Sequence, residues 1–104
     1  MKLSLDQVFV INKNAYELVA KEYDDNFKNR LPFNQKVALS YFKDLKAVSK
    51  VDNPKVLDIG CSVGVDSFCL SKEGCLVTGI DVSPIMISFA KKNIPEANFI
   101  IGNF

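Results

Sequence analysis

The ten residues Lys55 to Gly64, KVLDIGCSVG, constrain this chain more than any other stretch. Val56, Leu57 and Ile59 form an apolar run that leads straight into a turn bearing glycine at 60 and 64, and an amphipathic segment follows. Such a pattern predicts a buried parallel strand that delivers the chain to the N-terminus of a helix, where backbone N–H groups point outward. A second apolar run, Cys75 to Ile80, ends on Asp81. In a βαβ unit an acidic side chain there stands at the carboxyl end of the second strand, beside the first turn. It is placed to accept hydrogen bonds from both hydroxyls of a ribose. The rest of the chain reads as support for this one nucleoside-binding crevice.

Before the motif the periodicity is helical. Residues 1 to 13 are ambiguous, with Val8 to Ile11 as a short helix or a patch docked on the body. From Asn14 onward Ala15, Leu18, Val19, Tyr23 and Phe27 fall on one face, opposite Glu17, Lys21, Glu22 and Lys28. Pro32 is expected to break that helix and Asn34 to cap a second one, whose apolar stripe is Val37, Ala38, Tyr41, Phe42, Leu45 and Val48. Asp52-Asn53-Pro54 reads as a turn.

After the turn, strand and helix alternate. Strand one is Lys55 to Ile59; a helix from Val63 or Gly64 turns Val65, Phe68 and Cys69 inward and stops at Gly74. Strand two spans about Leu76 to Ile80. Ser83-Pro84 starts the next helix, with serine as N-cap and proline where its missing N–H is harmless. That helix faces Ile85, Met86, Phe89 and Ala90 to the sheet and ends between Asn93 and Pro95; strand three is about Asn98 to Ile101. The expected fold is therefore α/β and a single domain over 1–104. A helical N-terminal region, 1–50, precedes a βαβαβ half of a doubly wound sheet, 55–104.

Right-handed crossovers place the parallel strands in the order 3-2-1, which leaves strand one at an edge although its sequence reads as buried on both faces. An apolar, unblunted edge invites association. Two expectations follow: a sheet truncated after strand three as part of a longer protein, or a homodimer formed through the exposed edge of strand one.

Totals exclude several classes. A net charge of +1 with no block of like charges gives no electrostatic case for nucleic acid or an anionic membrane. Cysteines at 61, 69 and 75, without any histidine, make no metal pattern, and their odd number suits a reducing compartment. No signal peptide or membrane-spanning window is present, so the cytoplasm is the expected location. Cys61 reads as a small residue at a tight turn rather than a nucleophile. Lys91 and Lys92 read as a solvated helix end.

The turn itself separates two nucleotide chemistries. A dinucleotide fingerprint needs G-x-G-x-x-G, and counting from Gly60 this chain offers Ser62 and Val65 at the diagnostic positions. Instead it has Asp58 two residues before the first glycine. A carboxylate there repels a pyrophosphate but attracts an ammonium group, so the suggested ligand is a nucleoside with a cationic, amino-acid-like tail.

VLDIGCSVG resembles the first motif of the class I S-adenosylmethionine-dependent methyltransferases, with Ser62 where that family usually has glycine. GIDVSPIMISFAKKN, residues 79–93, resembles their second motif and following helix. NFIIGNF, 98–104, is similar to their third strand, with Asn103 at a position often held by aspartate. YELVAKEYDDNF, 16–27, resembles the tyrosine-bearing N-terminal helix of the small-molecule branch.

The resemblance implies S-adenosylmethionine as cofactor, a small-molecule methyl acceptor and a Rossmann-like fold. It implies that Asp58 and the backbone of Gly60, Cys61, Ser62 and Gly64 hold the methionyl amine, that Asp81 binds the ribose, and that Val82 and Met86 wall the adenine. Asn103 and the Phe104 N–H would meet the adenine edge; Tyr16 and Tyr23 would cover the methionyl end, and Arg30 would pair its carboxylate. It names no catalytic residue and no metal ligand. Beside this reading stands a non-catalytic, self-associating cofactor module. A nicotinamide oxidoreductase is disfavoured by the missing glycines.

Overall fold

The computed structural model describes residues 2–103. Helices α1 (Leu5–Asp25) and α2 (Phe27–Ser49) come first, followed by β1 (Lys55–Ile59), α3 (Val65–Lys72), β2 (Leu76–Asp81), α4 (Pro84–Asn93) and β3 (Asn98–Ile101). The three strands are parallel in the order β1-β2-β3, the 3-2-1 arrangement expected from right-handed crossovers.

The helical region differs from the sequence expectation at three points. α1 begins nine residues before Asn14, because Ser4 and Gln7 form a capping box. Ser4 Oγ accepts from the Gln7 N–H at 3.1 Å, and Gln7 Oε1 accepts from the Ser4 N–H at 2.8 Å. The break falls at Asn26, and Pro32 lies inside α2. Proline there removes one helical hydrogen bond. Packing on either side of that gap holds the helix: Phe27 meets Phe68 edge-to-face at 5.5 Å, and Leu31 and Phe42 pack into the core. Asn34, expected as a cap, instead donates its side-chain amide to Asp66 Oδ1 at 2.6 Å and joins α2 to α3.

The βαβαβ portion follows its sequence signals. α3 ends in a Schellman motif, with Cys75 N–H donating to Leu70 O and Gly74 N–H to Ser71 O, and Gly74 at φ +98°. Ser83 caps α4 through Met86 N–H, with Pro84 at the first helical position.

All helices lie on one side of the sheet. Val56 and Val77 meet Cys69, Leu70, Cys75 and Ala38, with α2 outermost; Phe99 meets Ile87, Ala90 and Ile94 of the α4 region; Ala20 of α1 meets Val63, Val65 and Met86. The opposite face carries Leu57, Ile59, Leu76 and Ile100, each more than half exposed. The expectation that Val56, Leu57 and Ile59 are buried on both faces is therefore corrected: only the Val56 side is covered. The cause is topological. Two successive crossovers of the same hand, progressing in one direction across the sheet, put both helices on the same face.

Candidate functional site

Where β1 ends, the chain reverses through residues 60–64 with three left-handed conformations: Gly60 at φ +72°, Ser62 at +56° and Gly64 at +92°. Gly60 and Cys61 both donate their N–H groups to Ile80 O, which holds the turn against the end of β2. Gly64 opens α3 where a Cβ would stand 2.5 Å from Ile94 Cδ1. Ser62 adopts the same region as a non-glycine residue, which its short polar side chain tolerates better than a bulky one would.

Asp81 sits at the carboxyl end of β2 and is nine-tenths buried. Its Oδ2 accepts from Ser62 N–H at 2.9 Å and its Oδ1 from Ser83 N–H at 3.0 Å. The carboxylate therefore clasps the glycine turn to the start of α4. Each oxygen keeps one further lone pair, which is what two ribose hydroxyls need. The free positions are acceptors, matched to a pair of hydroxyl donors.

Asp58 lies half-buried on β1 and accepts from Ser67 Oγ at 2.6 Å. Burial pushes its carboxyl above the ordinary range, and the nearby charges of Asp66 and Asp81 push the same way, while the Ser67 bond opposes them. No lysine or arginine among the described residues forms an ion pair with these three carboxylates. Asp58 thus has a hydroxyl partner but no cationic one among the described residues. Cys61 is buried, and burial together with Asp58 and Asp81 pushes its thiol up to about 12, which removes it as a nucleophile. Among the described residues no cluster of potential metal ligands occurs.

The remaining expected site residues separate into groups. Tyr16, Val82 and Asn103 line one cavity of about 450 Å3, together with Leu5, Val8, Phe9 and Asn12 of α1. Tyr23 and Arg30 lie together in another, of about 560 Å3, with the guanidinium 5.7 Å from the ring centroid. Asp58 borders a third, smaller cavity beside Asp66, Tyr41 and Ala38. Met86 is fully buried between Ala20, Val63 and Val65, and its sulfur accepts from Ser62 Oγ at 3.6 Å. It thus stands behind the turn rather than on its surface. Phe104 lies outside the described residues.

Residues 56–104 match the family described as "Methyltransferase domain". Ubiquinone biosynthesis O-methyltransferase of Pasteurella multocida is 31% identical over 88 residues, which make up 85% of this chain and 36% of that protein. Residues 56–104 belong to the class I S-adenosylmethionine-dependent methyltransferase family. A TehB-like SAM-dependent methyltransferase from Corynebacterium glutamicum superposes on this chain with a TM-score of 0.61 at 26% identity, covering 84% of this chain and 46% of that one. Magnesium protoporphyrin IX methyltransferase from Synechocystis PCC 6803 shares the fold with a TM-score of 0.68 at 20% identity, covering 99% of this chain and 57% of that one. The chain thus spans about a third of the curated relative and about half of these structures.

Two side chains that organise the site escaped sequence reading. Ser67, the donor to Asp58, is fully buried on a helix read only for its apolar members. A serine on an inward face, nine residues after a strand carboxylate, was the available signal. Asn93 stands where the sequence predicts a helix stop, yet its amide donates to both Asp24 and the Val63 carbonyl. No local pattern announces a partner 69 residues away.

Proposed function

We propose that this chain binds S-adenosylmethionine at the carboxyl ends of β1 and β2 and forms the cofactor-binding part of an enzyme that methylates a small molecule. One observation carries the reading: Asp81 is fixed by the Ser62 and Ser83 N–H groups with lone pairs to spare, beside an Asp58 that lacks a cation. Bound cofactor would supply an electrophilic methyl group on a sulfonium. Asp81 would hold the ribose hydroxyls, and Asp58 with the turn residues Gly60, Cys61, Ser62 and Gly64 would receive the methionyl ammonium. Val82 and Asn103 would bound the adenine end together with Tyr16, which shares their cavity instead of standing with Tyr23 at the methionyl end where the resemblance put it. Tyr23 and Arg30 would serve the methionyl carboxylate only after approach from their separate cavity. Positioning and exclusion of water are what the chain contributes to such a displacement.

Support for a small-molecule acceptor comes from relatives whose names specify ubiquinone biosynthesis. Three buried, unpaired thiols fit a reducing compartment such as the cytoplasm. No helix among the described residues is long and apolar enough to cross a membrane. Calorimetric titration with S-adenosylmethionine and with NAD tests the binding reading: saturable binding of the first alone supports it, and binding of NAD alone overturns it. Labelled-methyl transfer to a panel of small acceptors tests the chemistry.

The uncovered sheet face favours a second reading, in which two copies pair along the β1 edge as a module that binds cofactor without reacting it. Leu57 and Ile59 are exposed on that edge strand. Sedimentation discriminates: an 11.6 kDa monomer that binds the cofactor tightly removes this alternative.

A further inference from the structure

We infer that Asn93 is a positioning residue, whose one side-chain amide ties the seat of α1 to the glycine turn so that the two move together. The inference rests on the crevice being a cofactor site. Asn93 Nδ2 lies 2.9 Å from Asp24 Oδ1 on α1 and 3.0 Å from the Val63 carbonyl inside the turn. A primary amide nitrogen carries two hydrogens, and here each acceptor takes one. Val63 is fully buried, so water cannot replace the donor to its carbonyl.

The consequence runs along α1. Asp24, Ala20, Tyr16 and Asn12 recur every four residues and form one stripe that winds slowly around the helix. Ala20 is buried against Val63, Val65 and Met86, whereas Tyr16 and Asn12 line the cavity that also contains Val82 and Asn103. The anchored end of this stripe therefore sets where its other end stands over the adenine side. Asn93 closes α4, the helix whose start is fixed by Asp81 through Ser83. Helix α1, the turn and the Asp81 carboxylate are thereby joined through one residue.

The test titrates S-adenosylhomocysteine by calorimetry into the full chain, at a temperature where every variant is folded by circular dichroism. The variants are Asn93→Ala, the exchange Asn93→Asp with Asp24→Asn, and Val77→Ala, a core truncation remote from the turn. Asn93→Ala is expected to weaken binding roughly five- to twenty-fold, the scale of one or two lost hydrogen bonds. The exchange variant rebuilds the bond between positions 24 and 93 with its donor reversed but turns a carboxylate toward the Val63 carbonyl. Amide exchange in α1 should then return to the parent rate while the turn stays open and affinity stays low. Val77→Ala should lose stability yet bind within twofold of the parent. Parent-like affinity in Asn93→Ala, or an equal loss in Val77→Ala, overturns the inference. If the parent chain itself does not bind, the proposed function fails, and amide exchange decides this point alone. Faster exchange at both 20–24 and 61–65 in Asn93→Ala sustains the tie, and an unchanged rate in either segment refutes it.

Discussion

Replacing Gly64 with alanine probes the turn on which the site depends, and Gly74→Ala is its internal control. Both glycines are left-handed, at φ +92° and +98°, so both substitutions carry the same backbone term. Moving an L-residue into that region costs roughly 1–2 kcal/mol, of which the reduced freedom of the unfolded chain returns a part. At Gly74 the added methyl meets only the Asn53 amide at 3.4 Å, so the net loss should be about 1 kcal/mol, or a fall in Tm of about 4–8 °C. At Gly64 the methyl would stand 2.5 Å from Ile94 Cδ1 and 3.5 Å from Ala90 Cβ. Ile94 is fully buried against Ile87, Ala90 and Phe99, so it has little room to yield. Overpacking of that kind adds roughly 1–3 kcal/mol, giving about 2–4 kcal/mol in all. Ile94→Val deletes the offending δ-methyl and alone should cost about 0.5–1.5 kcal/mol. In the Gly64→Ala background it should recover stability instead, with a coupling of about 1 kcal/mol or more between neighbouring sites. Urea unfolding of the two glycine variants, Ile94→Val and the double variant measures each quantity. Equal losses at 64 and 74, or a strictly additive double variant, would refute the argument that Gly64 is required by contact with α4.

Asp81→Ala should weaken cofactor binding by about 1.5–3 kcal/mol, the scale for hydrogen bonds to a charged group, and should lower stability as well, because Ser62 and Ser83 N–H lose their acceptor. Unchanged affinity in titration would mean that the pocket lies elsewhere. Asp58 has a folded pKa raised above its ordinary value of 3.8, so the native state holds the proton longer than the unfolded chain does. Stability from this group is therefore lost as pH rises from 3.8 through the raised value, and Asp58→Asn should make the chain more stable at pH 7 while weakening binding of a cation. Denaturation between pH 4 and 8 checks the sign, and a variant less stable than the parent at pH 7 contradicts it. Pro32→Ala restores the missing donor inside α2 and should stabilise the chain by about 1–2 kcal/mol. An unaltered or lower urea midpoint would show that proline suits that position.

Legibility in the sequence followed the range of the interaction responsible. Residues 55–101 could be read closely because their punctuation is local: the left-handed glycines at 60, 64 and 74, Ser83 as a cap, and Pro84 at a first turn. β1 and β3 fall where the apolar runs place them, and β2 extends one residue further to include Asp81. Local rules misled in the helical region. Pro32 is a strong breaker in isolation, but the aromatic contact between Phe27 and Phe68 and the burial of Leu31 fix the helix across it. The S-x-x-Q capping box at Ser4 was a readable signal for the start of α1, hidden by asparagines at 12 and 14 that resemble a loop. The placement of Asp58, Asp81 and the turn at neighbouring strand ends was legible because residue type and spacing specify it. Tyr16, Tyr23 and Arg30 share one helical region in sequence, but only the folded chain assigns them to two different cavities.

The three thiols have a use that nothing in the binding site requires. Cys61 lies in the cluster around Phe99, whereas Cys69 and Cys75 lie in the cluster under α2, and all three are buried with their pKa values raised. In the closed molecule an alkylating reagent meets neither access nor thiolate. Modification at each sulfur therefore clocks the opening of its own layer, and mass-resolved labelling of the untouched sequence would report whether the α4 side or the α2 side of the sheet loosens first.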